Sequence, residues 1–285
     1  MSASLSTVVS TDWLAAHLGE PDLRVVDATW YLPHLNRDAR AEFAERHIPA
    51  AVYFDIDAIS DHASALPHML PDPETFARAA GALGIGTEDR VVAYSGRGMI
   101  ASARAWWMFR VFGHEQVAVL DGGLAKWRAE GRPLEGGAPT PAARQFTAAF
   151  RKELVADLDR VRATLETQRE QVVDARSHGR FVGTEPEPRP GLRPGHIPGS
   201  VNLPYDRLFQ SVGDTLLPPE ALRAAFGESG LHLERPVVAT CGSGVSAAVL
   251  TLGLYLLGRG DTAVYDGSWS EWGGRSDTPV ALRDE

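Results

Sequence analysis

Short runs of apolar residues recur along the chain, each bounded by polar or turn-forming residues. The clearest are Leu23-Arg24-Val25-Val26-Asp27, Arg90-Val91-Val92-Ala93-Tyr94, Gln171-Val172-Val173-Asp174 and Pro236-Val237-Val238-Ala239-Thr240. Their apolarity is continuous rather than alternating, which marks strands buried on both faces, as in a parallel sheet. Segments of helical periodicity lie between them, and those after Tyr94 and Thr240 are Ala-rich and predict amphipathic helices. The order predicted in each half is strand, helix, strand, helix, strand, an α/β architecture with helices flanking a parallel sheet.

The pattern occurs twice. The acid that ends the first strand of each half, Asp27 or Asp174, is followed 20 and 22 residues later by a His-Ile-Pro turn, at His47-Ile48-Pro49 and His196-Ile197-Pro198. Farther on, each half has a short strand ending in Asp-Gly, at Asp121-Gly122-Gly123 and Asp266-Gly267-Ser268, with Trp127 and Trp272 downstream. The offset between matching landmarks stays between 145 and 149 residues, so the chain is an internal duplication. Gly131 to Pro141, with Pro133, Gly136, Gly137 and Pro139, has the composition of an interdomain linker. The expected domains are 1–137 and 151–285, joined by a linker over 138–150.

Composition narrows the picture. A chain of 285 residues suits two domains of roughly 150 residues each, and 44% hydrophobic with 23% charged residues is ordinary for globular domains. The net charge of -9 argues against nucleic acid as a partner, while leaving room for local basic sites that hold small anions. The opening MSASLSTVVSTDWLAAHLG has no basic region followed by an apolar run, so the cytoplasm is the expected compartment. The apolar stretch from Ala247 to Leu257 is too short to span a bilayer, and no membrane partner is expected. A single cysteine, Cys241, excludes an intramolecular disulfide and a thiolate metal cage, and no cofactor is expected.

That cysteine follows a buried strand and opens the loop Cys241-Gly242-Ser243-Gly244-Val245-Ser246, before a helix that begins near Ala247. Open α/β sheets bind ligands at the carboxyl ends of their strands. Gly242 and Gly244 let the backbone curl so that successive N–H groups converge on an anion, and the helix adds the positive end of its dipole. Such a cradle suits a thiolate or a persulfide. The first half has Ser95 in the corresponding place, within Tyr94-Ser95-Gly96-Arg97-Gly98. A hydroxyl is a poor sulfur acceptor, so that half is expected to be catalytically silent.

Loop and repeat together resemble the tandem rhodanese family. The CGSGVSA loop is more similar to that of the 3-mercaptopyruvate sulfurtransferases than to the basic CRKGVTA pattern of the thiosulfate sulfurtransferases, with Ser246 where the family usually has Thr. The resemblance implies a sulfurtransferase that forms a persulfide on Cys241 and passes the sulfur to a thiol such as thioredoxin, or to cyanide. The stretch from Arg180 through Thr184-Glu185-Pro186-Glu187-Pro188-Arg189 resembles the family's GRF…GTEPEPR. It implies that Arg180 and Arg189 hold the donor's carboxylate and keto oxygen, a task suited to planar guanidinium groups. Tyr53-Phe54-Asp55-Ile56-Asp57 and His68-Met69-Leu70-Pro71 are similar to the family's FDID and HMLP motifs, although Pro67 stands where Asp is common. By that resemblance Asp57 orients His68, and His68 contacts the hydroxyl of Ser243, an acid–base–hydroxyl relay.

Three other readings are open at this level. Thiosulfate could be the donor for the same persulfide. Cysteine-loop phosphatases need an arginine six residues after the cysteine, and Ala247 stands there. A rhodanese-like module that only binds would leave Cys241 unreactive.

Overall fold

Two five-stranded sheets, both parallel throughout, organise the chain in a computed structural model that describes residues 5–32, 35–96, 98–210 and 214–283. The first half runs β1 (Val8–Val9), α1 (Thr11–His17), β2 (Leu23–Asp27), α2 (Ala39–Glu45), β3 (Ala51–Tyr53), α3 (Pro73–Ala82), β4 (Arg90–Tyr94), α4 (Ile100–Val111), β5 (Val117–Leu120) and α5 (Gly123–Ala129). The second runs β6 (Val155–Ala156), α6 (Leu158–Thr167), β7 (Gln171–Asp174), α7 (His178–Val182), β8 (Val201–Asn202), α8 (Pro219–Glu228), β9 (Val237–Thr240), α9 (Ala247–Leu256), β10 (Ala263–Tyr265) and α10 (Ser268–Trp272). Strand order is β1-β5-β4-β2-β3 in one sheet and β6-β10-β9-β7-β8 in the other, so the duplication extends to topology.

Each half therefore has more elements than the apolar pattern alone predicts. The edge strands β1 and β6 are two residues long, too short to leave a periodic trace. The central strands are β4 and β9, and each pairs on one side with the strand that ends in the buried acid. In that register Asp27 lies beside Tyr94, and Asp174 beside Thr240. The acids thus stand next to the strand ends that carry Ser95 and Cys241.

The helices after β4 and β9 are not amphipathic, contrary to the sequence expectation. Every residue from Ala101 to Val111 of α4 is buried, as is every residue from Ala247 to Leu254 of α9. A helix that is covered on all sides has no polar face to display. α9 packs on β9 and β10 and on a 3-10 turn at Tyr205–Leu208. A Cβ on Gly253 would lie 3.0 Å from Leu208 and 3.2 Å from Phe226 of α8. In α4, burial extends to Arg104 and Arg110, whose guanidinium groups lie over the rings of Trp107 and Trp106. No helix among the described residues is long and apolar enough to cross a membrane.

Each half also builds its own core around a tryptophan. Trp127 and Trp272 are fully buried in their respective cores, and their indole N–H groups donate to the carbonyls of Pro133 and Pro279. The chain divides into two units: Met1–Asp61, Leu70–Arg151 and Gln210–Leu216 form one, and His62–Met69, Lys152–Phe209 and Leu217–Glu285 the other. A short segment of each half therefore belongs to the opposite unit. The Pro- and Gly-rich stretch after α5 runs along the first unit, where Glu135 bridges to His47, Gly137 donates to Ala44, and Arg144 donates to Gly81.

Candidate active site

The two halves offer the same loop position with different chemistry. Cys241 leaves β9 with its carbonyl accepting the Trp269 amide at 3.0 Å, and Ser95 leaves β4 with its carbonyl accepting the Leu124 amide at 2.9 Å. Cys241 is 2% exposed, and Ser243, Gly244 and Val245 are buried with it. Gly244 takes φ +77, a conformation that a Cβ would disfavour. Among the described residues, the amides of Gly242, Ser243, Val245, Ser246 and Ala247 have no protein acceptor. Buried amides are nearly always paired. Five donors without one, gathered around a cysteine at a helix start, constitute an anion-binding nest.

The first half closes the equivalent nest internally. The Gly96 amide donates to Thr29 Oγ1 at 2.7 Å, and the Ser102 amide of α4 donates to Ser95 Oγ at 2.8 Å. The serine thus takes up a helix-start donor itself. Arg97 in that loop lies outside the described residues.

The Cys241 amide is held separately from its neighbours. It donates to Ser268 Oγ at 3.2 Å, and that hydroxyl donates in turn to the Tyr265 carbonyl at 2.7 Å. Ser268 is fully buried and adopts φ +48, where its first-half counterpart, preceding Leu124, is Gly123 at φ +55. A side chain in the left-handed region costs roughly 1 kcal/mol. Here that side chain anchors the backbone of Cys241.

A chain of charges connects the sheet to the loop. Asp174, at the end of β7, binds the Arg176 guanidinium through Nε at 3.0 Å and Nη2 at 2.7 Å. Arg176 is fully buried, stacks 4.4 Å from the centre of the Trp269 ring, and reaches Glu187 Oε1 at 2.6 Å through Nη1. Burial opposes its charge, but Asp174 and Glu187 outweigh this and hold the guanidinium above its ordinary pKa. The second oxygen of Glu187 takes Arg180 Nη2 at 2.6 Å. Arg180, one-fifth exposed, comes so close to Gly242 that a Cβ there would lie 2.8 Å from Nη2. In the first half the neutral Thr29 stands at the matching place, its amide donating to Asp27 Oδ1 at 2.8 Å, and burial pushes the Asp27 carboxyl above the usual range.

Arg189 also belongs to the second unit, with Nη2 at 3.1 Å from Nε2 of His68. His68 is buried, in the 62–69 segment that belongs to this unit. Asp57 belongs to the first unit, where its carboxylate accepts the Trp30 indole N–H at 2.9 Å. Ser246 is the residue before α9, half-buried at the end of the loop.

Sequence reasoning passed over Arg176, Glu187 and Ser268. Two signals were present. The acid within Glu185-Pro186-Glu187 sits between the two arginines it could serve, and the two halves differ at Asp-Gly-Gly against Asp-Gly-Ser.

The rhodanese-like domain family matches residues 10–130 and 157–275. Human 3-mercaptopyruvate sulfurtransferase is 48% identical over 93% of this chain and 91% of its own length. Bovine thiosulfate sulfurtransferase is 44% identical over the same shares, 93% and 91%. The crystal structure of SseA from Escherichia coli, a 3-mercaptopyruvate sulfotransferase with the rhodanese fold, superposes with a TM-score of 0.85. It is 40% identical and covers 93% of this chain and 99% of its own.

Proposed function

The chain belongs to the rhodanese-like family and is a sulfurtransferase, and from that premise we propose that Cys241 takes sulfur from 3-mercaptopyruvate. The Cys241 thiolate attacks the donor's sulfur, the carbon–sulfur bond breaks, and its electron pair enters the enolate of pyruvate. The proton on the donor's thiol passes to the enolate carbon, which leaves a persulfide anion on Cys241. A thiol such as thioredoxin, or cyanide, then removes the outer sulfur and restores the cysteine.

The observation that carries this reading is the set of unpaired amides at Gly242, Ser243, Val245, Ser246 and Ala247 around Cys241. Preorganised donors stabilise negative charge without reorganising as it forms. Arg180 and Arg189 serve the carboxylate and keto oxygen, and the fixed stance of Arg180 against Gly242 supports that assignment. His68, with Asp57 and Ser243, handles the proton. The two domains, 1–137 and 151–285, then divide the labour: the second supplies the nucleophile and the donor-binding arginines, and the first supplies His68 and Asp57 but no nucleophile.

Thiosulfate is the second reading, favoured by the 44% identity to the bovine thiosulfate sulfurtransferase. The neutral Gly242 and Ser243 after the cysteine favour mercaptopyruvate, because a dianion calls for basic groups there. Pyruvate release from 3-mercaptopyruvate is to be measured against sulfite release from thiosulfate, for wild type and Cys241→Ser. Preference for mercaptopyruvate, lost in the mutant, is the expected result. Preference for thiosulfate would overturn the donor assignment, and no turnover with either would overturn the persulfide cycle.

A further inference from the structure

Arg189 is a carboxylate ligand in the proposed cycle, yet its Nη2 lies 3.1 Å from Nε2 of His68. A guanidinium remains charged across the working pH range and carries only donors. The ring nitrogen facing it must supply a lone pair, which makes His68 a neutral imidazole with its proton on Nδ1. The other tautomer would set N–H against N–H, and an imidazolium would add a second positive charge at the same distance. His68 has little freedom to turn away, because it is 6% exposed and its backbone is held at φ +61.

We propose that Arg189 is a positioning residue for His68 as well as a ligand for the donor. In the free protein its guanidinium holds the imidazole in the Nδ1–H form with Nε2 engaged. The carboxylate of an α-keto acid is a stronger acceptor for a guanidinium than a neutral ring nitrogen. Its arrival draws the donors of Arg189 away and releases Nε2 as a base. Donor binding and readiness of the base become one event, because the ligand shifts the equilibrium through its differential affinity for the two arrangements. The identity of the carboxylate rests on the proposed function, whereas the tautomer is a property of the protein alone.

The test is 15N NMR of histidine-labelled full-length protein, with His68→Gln identifying the His68 signals among the nine histidines. Pyruvate serves as probe, since it carries the carboxylate and keto group but no sulfur to lose. The expected result is a neutral, Nδ1-protonated His68 whose Nε2 signal moves on adding pyruvate. In Arg189→Gln, and in Arg189→Lys with a side chain one bond shorter, Nε2 is no longer held, so the tautomer preference is lost and pyruvate no longer moves the signal. An Nε2-protonated His68 in the wild type would overturn the proposal without recourse to any variant. So would a His68 signal indifferent to both substitutions. Kinetics supply the second readout: Arg189→Lys keeps a cation for the carboxylate, so kcat for pyruvate release should fall roughly tenfold or more while KM rises less. A rise in KM alone would make Arg189 a plain ligand and overturn the proposal. A wild type that releases no pyruvate from mercaptopyruvate would sink the sulfur-transfer reading while leaving the ring-nitrogen result standing.

Discussion

Arg180 Nη2 lies 2.8 Å from the point where a Cβ on Gly242 would stand, and the same nitrogen donates to Glu187 Oε2 at 2.6 Å. A Cβ at Gly242 would therefore push the guanidinium out of this position. Gly242→Ala is expected to displace Arg180, with the fold retained and KM for 3-mercaptopyruvate raised roughly tenfold, the loss of a charge-assisted hydrogen bond. Steady-state kinetics alongside a melting curve check this, and an unchanged KM in a folded variant would contradict the role given to Arg180.

Glu187 serves two guanidinium groups at once, and its side chain is 4% exposed. Glu187→Gln keeps the shape and removes the charge, which takes the carboxylate from Arg180 and leaves Asp174 alone to balance Arg176. Breaking one member out of a buried ionic network costs about 3 kcal/mol or more. Chemical denaturation should show that loss, together with weaker donor binding, whereas a change confined to stability would separate Glu187 from the donor site.

Ser268 combines a strained backbone with a hydroxyl on the Cys241 amide. Ser268→Ala keeps the strain and loses the hydrogen bond, so it should destabilise the protein by about 1–2 kcal/mol. Ser268→Gly loses the same bond and relieves the strain, and should be more stable than the alanine variant by roughly 1 kcal/mol. Both variants should load sulfur onto Cys241 more slowly than wild type, as read by mass spectrometry of the persulfide. Equal stability of the two would remove the argument from strain.

His114 is buried in the first unit, and burial lowers its pKa below the ordinary value of 6.5. The unfolded chain therefore binds the proton more readily than the folded one. Stability is full above the unfolded pKa and is lost as pH falls below about 6.5 toward the folded value. His114→Gln should flatten the dependence of the melting temperature on pH in that acidic window. An identical slope in the variant would assign the acid sensitivity to other groups.

The repeat, the parallel sheets and the position of Cys241 were all readable because each rests on local sequence: continuous apolar runs, turn residues at fixed offsets, and a cysteine between a strand and two glycines. What escaped reading depends on tertiary placement. Glu187 is one of several acids in a proline-rich stretch, and only the fold reveals that it lies between Arg176 and Arg180. The all-round burial of α4 and α9 depends on what covers their outer faces, which periodicity does not record. The contact of His68 with Arg189 joins residues 121 positions apart, beyond the reach of any local pattern. The difference between Gly123 and Ser268 was visible, but its meaning required the φ angles of both.

The exchange of segments between the units bears on the history of the duplication. Residues 62–69, with His68 among them, are encoded in the first copy, and residues 210–216 in the second, which carries Cys241. A gene truncated between Arg151 and Lys152 would deliver neither unit whole. Neither copy could then be discarded by itself, because each unit takes a piece of the other. Mutual dependence of this kind works as a ratchet that keeps the two copies fused.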